Sequence, residues 1–509
     1  MLIRIFGTPQ AYREHIQTLA QEPARVEQVV REVLEHVRRD GDAAVKAYTQ
    51  RFDGVALETL RVPQPALENA VAYLDPAIKD VWIQAAENIE RFHRRQKEDS
   101  HLEFSGDGTL LGWKVTPIDR VGVYIPGGTA VYPSSLLMNA IPAQIAGVPR
   151  IVLVSPPGPD GLPHRDILAC AALLGLDEVY AVGGAQAIGA LAYGTESVPG
   201  VYKITGPGNQ YVAEAKRQVS GHVGIDSVAG PSEILILCDQ EVDPELLVRD
   251  LLSQAEHDGE ARAVLITTRE SQAQAVARRL AALIPTLPRR EIIERSFSRG
   301  SGIVTVRTLA EGFDLVNELA PEHLELITAD PLDGLTQVRN AGAIFLGVDT
   351  PEPVGDYFAG PNHTIPTGGR ARFSSPLSVQ DFVKKSSVLR YSAARLAKES
   401  AAIRMFAERE QLFAHAEAVR VRSPELRANV SDATATGGTV ARATVPGGAV
   451  AQATVAQATV PGQAVPGSRS PAPEPPAPEP PAPAPEPRAP APDARPAVPS
   501  ARSRSAGRS

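Results

Sequence analysis

Val121-Gly122-Val123-Tyr124-Ile125-Pro126-Gly127-Gly128 is a short apolar run closed by a proline and two glycines, and the pattern recurs downstream. Ile151 to Val154 runs up to Pro156, and Val179 to Val182 runs up to Gly183-Gly184. Continuous apolar runs of this length suit parallel strands buried on both faces, with the glycines supplying the turns. Helical stretches, Ser135 to Ala146 and Asp166 to Leu174, lie between them, so strand and helix alternate as in a doubly wound sheet. A second series has Ile234 to Leu237 and Val264 to Ile266 as strands and Pro244 to Glu256 and Ser271 to Leu283 as helices, with a further strand at Ala343 to Val348. The predicted fold class is α/β, with two Rossmann-like, incomplete sheet domains.

Outward from these series the texture is helical. Val26, Val29, Val30, Val33, Leu34 and Val37 mark an amphipathic helix over Glu22 to Phe52, and Ile78, Val81, Trp82 and Ile89 mark another over Pro76 to Phe92. Helices are expected again around Val379 to Val383 and Ala393 to Ala418. Beyond them come Ala/Thr/Val/Gly repeats and then 11 prolines between Pro471 and Pro490, too few large apolar groups to offset chain entropy. That tail is expected to be disordered.

A chain of 509 residues is too long for one domain at roughly 100–200 residues each. The net charge is −8, and because the tail carries more Arg than acid the body is near −10. An acidic body argues against nucleic acid or an anionic membrane as partner. Only Cys170 and Cys238 occur, so a disulfide framework and a thiolate zinc site are both excluded and a reducing compartment fits. Met1 to Gly7 lacks the pattern of a signal peptide, and 18 apolar residues never run together. A soluble, cytoplasmic protein acting on small molecules is expected.

Four segments carry residues suited to chemistry. In Asp250 to Asp258, Gln254 and His257 are three apart on an expected helix, so an amide oxygen and an imidazole can share one ion, although an ordinary polar helix face reads the same way. Glu322-His323 follows Pro321, which could start or bend a short helix, and pairs an acid with an imidazole that can act as base and proton shuttle. Asp356 and His363 fall in a Gly/Pro-rich stretch expected as a loop at the carboxyl end of a strand. Glu410 and His415, by themselves, read as surface residues. Three glycine loops, Tyr124 to Gly128, Gly183 to Gln186 and Gly206-Pro207-Gly208-Asn209, let backbone N–H groups approach phosphate, yet none is a GxGxxG fingerprint followed by an acid.

Taken together, the order and wording of these segments resemble the histidinol dehydrogenase family up to about residue 422, most distinctively in Ile225-Asp226-Ser227-Val228-Ala229-Gly230-Pro231-Ser232-Glu233 followed by Asp250 to Asp258. The resemblance implies a homodimer holding one Zn2+ per subunit, with Gln254, His257 and Asp356 as ligands from one subunit and His415 from the other. It implies that Ser232, His363 and Glu410 contact substrate alongside the metal ligands and His323, and that Tyr124, Gln186 and Asn209 contact NAD+. The implied reaction is the last step of histidine biosynthesis, two successive oxidations of L-histidinol to L-histidine through bound L-histidinal, consuming two NAD+. His323 would take protons in both steps, and Glu322 would activate water in the second. The implied layout is a first α/β domain over 1–123 and 233–377 with the N-terminal helices, a second over 124–232, a helical extension over 378–427 that reaches the partner's site, and the tail over 428–509. The family reads Glu-Gly-Leu where this chain has Glu410-Gln411-Leu412.

Three rival readings share some of these residues. A zinc hydrolase with Glu322 as base leaves the glycine loops without a task. A dehydrogenase of another amino alcohol or hydroxy acid has no need of Glu410, His415 and His363 together. A scaffold built on an old dehydrogenase fold does not account for the full set of candidate ligands.

Overall fold

The computed structural model describes residues 3–19, 24–127, 131–228 and 230–422. The expected disordered tail and Gly128 lie outside the described residues. Val121–Tyr124 sits at the centre of a wholly parallel five-stranded sheet in the spatial order Val179–Ala181, Ile151–Ser155, Val121–Tyr124, Lys203–Thr205, Gly224–Ile225. Its side chains alternate between two cores. Val121, Val123, Leu153 and Val179 face helices Pro133–Ala146 and Arg165–Leu173, whereas Val152, Val154, Tyr180 and Ile204 face helices Gly184–Tyr193 and Gln210–Val219. Burial on both faces is why these strands are apolar without interruption. The chain winds outward to Val179–Ala181 and then returns to the other side of Val121–Tyr124, which places the switch in winding direction between Val121–Tyr124 and Lys203–Thr205.

A second parallel sheet has six strands in the order Ile5–Phe6, Gly302–Thr305, Arg262–Thr267, Glu233–Cys238, His323–Ile327, Ala343–Leu346. It repeats the same winding, with its switch between Glu233–Cys238 and His323–Ile327. Helices Pro244–Ala255, Glu270–Leu283 and Arg290–Ser298 cover one face, and Leu309–Leu319 the other. Pro244 opens its helix behind Asp243, whose carboxylate accepts the Glu245 N–H at 2.9 Å, as a side-chain N-cap does.

Four sequence expectations change. The helices of the N-terminal region, Ala24–Asp53, Gln64–Ala72 and Pro76–His93, pack on the helices that flank the five-stranded sheet and join its cores, not those of the six-stranded one, and Val121–Val123 also belong to the five-stranded sheet. Helix Ala24–Asp53 bends at Gly41 (φ 53°), where a Cβ would lie 2.4 Å from the Glu196 carboxylate. The expected helix at Val379 to Val383 is a single 3-10 turn, Val379–Phe382, that feeds strand Val383–Arg390. With His101–Phe104 and Leu110–Pro117 that strand forms an antiparallel sheet of three. Finally, the late helical region is two helices, Ala393–Arg409 and Phe413–Arg420, packed on each other and separated at Gln411, whose φ is +61°.

A left-handed residue with a Cβ costs about 1–2 kcal/mol, part of which glycine returns through its freer unfolded chain. Gln411→Gly should therefore raise unfolding free energy by about 0.5–1 kcal/mol in chemical denaturation. No gain would mean that the Gln411 side chain recovers the backbone cost through contacts of its own.

Candidate active site

Glu322 and His323 stand where helix Leu309–Leu319 gives way to strand His323–Ile327. Ala320, at φ 49°, ends the helix, and Pro321 prevents its continuation, so no short helix forms around Glu322. In the parallel register His323 lies beside Ile234 and Ala343, and the first residues of the central strands line one amino edge of the six-stranded sheet. Both side chains fasten to one residue there. The Glu233 N–H donates to Glu322 Oε2 at 2.8 Å, and His323 Nδ1 lies 3.0 Å from the Glu233 carbonyl oxygen. A carbonyl only accepts, so Nδ1 carries the hydrogen and Nε2 keeps its lone pair. His323 Nε2 is buried without a partner. Burial lowers the His323 pKa to about 3, which keeps the ring neutral, and burial raises the Glu322 carboxyl well above its ordinary range.

Helix Pro244–Ala255 returns from the far end of its strand, so its last turn sits at the same edge. Gln254 is fully buried, and neither of its amide atoms has a partner. The helix ends at Ala255, so His257 lies in the following turn rather than on the shared helical face expected for it, with its N–H donating to the Gln254 carbonyl at 3.2 Å. It remains close enough to be an electrostatic neighbour of His323 and Glu352.

Asp356 lies on the short helix Glu352–Tyr357, not on a loop, and that helix brings it from the strand end to the amino edge: Oδ1 is 3.9 Å from His323 Nε2. His323, Glu352 and Asp356 offer donor atoms all within 4.8 Å of one another. Glu352, absent from the sequence reading, is one helical turn before Asp356, and that four-residue spacing was the available signal. Its N–H donates to Glu325 Oε1 at 3.0 Å, and its Oε2 accepts from Ser253 Oγ at 3.1 Å, while Oε1 is buried without a partner. Burial raises the carboxyls of Asp250, Glu325, Glu352 and Asp356, with mutual repulsion adding to the rise at Glu325 and Glu352.

His363 completes the near set. Its Nδ1 donates to the Asp356 carbonyl at 2.9 Å, so Nε2 accepts from Ser135 Oγ at 3.2 Å across to the five-stranded sheet's helix Pro133–Ala146. Ser232 is half-buried just before strand Glu233–Cys238, and its carbonyl accepts the Arg262 N–H at 2.9 Å. Glu410 and His415 are not drawn into this cluster within the chain. Both are exposed, on the two helices that pack chiefly on each other.

The three glycine loops gather at the carboxyl edge of the five-stranded sheet, two of them at its switch. Tyr124 is buried at the end of its strand, its hydroxyl accepting the Gly184 N–H at 3.2 Å, and burial pushes its pKa up to about 12. Gln186, in the first turn of helix Gly184–Tyr193, is buried with both amide atoms unpartnered. Asn209 caps helix Gln210–Val219, its Oδ1 accepting from Tyr211 and Val212 N–H at 3.0 and 3.1 Å.

Residues 17–423 match the sequence profile of histidinol dehydrogenase. The curated histidinol dehydrogenase of Geobacillus kaustophilus is 54% identical over 393 residues, covering 77% of this chain and 93% of that protein. The one from Bacillus subtilis is 51% identical over 393 residues, covering 77% and 92%. The chain belongs to the histidinol dehydrogenase family. Its fold agrees with the crystal structure of histidinol dehydrogenase from Elizabethkingia anophelis, at a TM-score of 0.78 and 36% identity over 83% of this chain and 98% of that one. As a member of the family it is an oxidoreductase of histidine biosynthesis, and the rival readings of the sequence are not favoured.

The site is rich in oxygen and imidazole donors with no thiolate, a set suited to a borderline divalent ion such as zinc. The unpartnered Gln254 amide and His323 Nε2 are the kind of buried atoms that a bound group satisfies. Gln254→Leu removes the unpartnered amide while keeping its bulk. The metal-free variant should be at least as heat-stable as the parent, whereas zinc affinity should fall about 10-fold or more. Titration with zinc, with bound metal counted by mass spectrometry, reads the result. Undiminished affinity would remove Gln254 from the ligand set.

Proposed function

We propose that the chain oxidises L-histidinol to L-histidine in two NAD+-dependent steps, keeping L-histidinal bound between them. The reading is carried by one observation, the buried and unpartnered lone pair of His323 Nε2, 3.9 Å from Asp356, on a ring whose other nitrogen lies 3.8 Å from Glu322. In the first step His323 takes the hydroxyl proton at Nε2 as hydride leaves the carbinol carbon for nicotinamide. In the second, Glu322 takes a proton from water as it adds to the aldehyde, and His323 accepts a hydroxyl proton of the hydrate while the same carbon gives up a second hydride. The first oxidation releases one proton and one NADH, and the second releases two protons and one NADH as the carboxylate forms. Burial keeps His323 neutral, so its Nε2 lone pair is free, and raises the Glu322 carboxyl above its ordinary range.

Zinc, when bound, supplies a fixed cationic template for the substrate's amine and imidazole. Gln254, His257 and Asp356 would hold it, with His415 of the partner subunit. Ser232, His363 and Glu410 of the partner subunit would complete the substrate contacts, and Tyr124, Gln186 and Asn209 would meet the dinucleotide. A homodimer is supported by the two late helices, where Ala416 is the one buried residue while Met405, Phe406 and Phe413 are 71%, 70% and 67% exposed. Apolar groups exposed at that density call for a covering surface. Among the described residues no helix is long and apolar enough to cross a membrane, and both cysteines are free and buried, which supports a cytoplasmic setting.

Purified, zinc-loaded protein given histidinol should form two NADH per histidinol and show no turnover without NAD+. Nucleotide-independent turnover would reject the reading. Glu322→Gln should slow histidinal oxidation by about 10²–10⁴-fold, and a variant that oxidises histidinal normally removes Glu322 from its role. Mixing His415→Ala subunits with His257→Ala subunits should restore activity by rebuilding one intact site per heterodimer. Unrestored activity in a confirmed heterodimer would place His415 in its own chain's site.

A further inference from the structure

Lys216 and Asp226 form an ion pair far from solvent, with side chains 1% and 4% exposed. Removing two charges from water is expensive and is tolerated only where the remaining hydrogen-bonding capacity is used. Here it is used on one residue. Asp226 Oδ2 accepts the Gly206 N–H at 2.9 Å, and Lys216 Nζ donates to the Gly206 carbonyl at 2.9 Å, so the pair holds both backbone groups of Gly206. Asp226 Oδ1 also accepts the Ser227 N–H at 2.6 Å.

Gly206 follows strand Lys203–Thr205 at the switch point of the five-stranded sheet. Its φ is +114°, and a Cβ there would fall 2.0 Å from the Tyr124 carbonyl oxygen, so only glycine lets the two strand ends approach this closely. Gly208 is equally tight, its would-be Cβ 2.3 Å from Val212. The two glycines let the loop pack this closely, and the charged pair fastens its first residue.

We infer that Lys216 and Asp226 are positioning residues for the dinucleotide, fixing the Gly206 to Asn209 loop against Tyr124 through both backbone groups of Gly206. This rests on the NAD+ reading above. Neither side chain has exposed surface with which to touch a ligand, so the pair acts through the loop. The Asp226 end is continuous in sequence with the segment leading to Ser232 and Glu233, the residue that holds Glu322 and His323.

The test uses the full-length, zinc-loaded protein. Lys216→Met combined with Asp226→Asn removes both charges without stranding either, while Met cannot donate to Gly206. This variant should raise KM for NAD+ and the dissociation constant for NADH, measured by fluorescence titration, about 10- to 100-fold. KM for histidinol and bound zinc should be unchanged. Asp226→Asn alone should act in the same direction. A folded double variant with parental NADH affinity overturns the inference, as does an equal rise in both KM values. Failure of both variants to fold also overturns it, because the pair would then hold the domain and not the loop. A parent protein that itself binds no NADH sinks the NAD+ reading instead.

Discussion

The peptide groups of Glu233 are the constraint on which the site depends. Its N–H is taken by Glu322 and its carbonyl by His323, so an acid and an imidazole adjacent in sequence are held apart in direction by the two ends of one residue. This works because Glu233 begins a central strand, and an edge-of-sheet residue has backbone groups that the ladder leaves free. The parallel register that sets His323 beside Ile234 delivers both side chains to those groups. Glu233's own carboxylate is occupied as well, accepting the Gly368 N–H at 3.1 Å and lying 3.4 Å from Arg262. The residue that orients the chemistry is thus itself anchored from three sides.

The two parallel sheets share one winding but offer opposite edges. The five-stranded sheet presents its carboxyl edge, where glycines bring strand ends and helix starts together. The six-stranded sheet presents its amino edge, where helix Pro244–Ala255 ends and where helix Glu352–Tyr357 brings its carboxylates. The segment around His363 binds the two: Asn139 Nδ2 donates to Thr364 Oγ1 at 3.1 Å and Asn362 Nδ2 to the Met138 carbonyl at 2.6 Å, alongside the Ser135 to His363 contact. A cofactor on one edge and a substrate on the other would meet across that segment.

Strands buried on both faces were legible because double burial demands an unbroken apolar run, as in Val121–Tyr124 and Ile151–Ser155. Val383–Arg390 was not, since Lys384, Lys385, Ser386 and Ser387 are exposed and leave no alternation to read. The N-terminal helices were recognisable as amphipathic, but an apolar stripe does not name the surface it will cover, and theirs covers the helices flanking the five-stranded sheet. In the site, Gln254, Asp356 and His363 carried recognisable wording. Glu352 was passed over beside Asp356 because an acid near prolines reads as surface until its burial is known. His415 cannot be placed by any reading of a single chain if its site belongs to another.

The amino edge also sets an electrostatic problem whose form points to its solution. Asp250, Glu325, Glu352 and Asp356 crowd one buried region, and burial raises each carboxyl above its ordinary pKa. A carboxyl whose pKa is higher folded than unfolded contributes stability below the unfolded pKa and loses it as pH rises through the folded one. A chain without metal would therefore become less stable as the solution turns from acid toward alkaline, the acids being forced to ionise against one another. A divalent cation reverses the local rule, since it favours the ionised form of every carboxylate around it. The same ion would give the buried Gln254 oxygen its missing partner. No Lys or Arg does this work in the ion pairs and hydrogen bonds of these four acids among the described residues. The cluster is thus an incomplete charge balance when ionised, of a kind that a divalent cation fits.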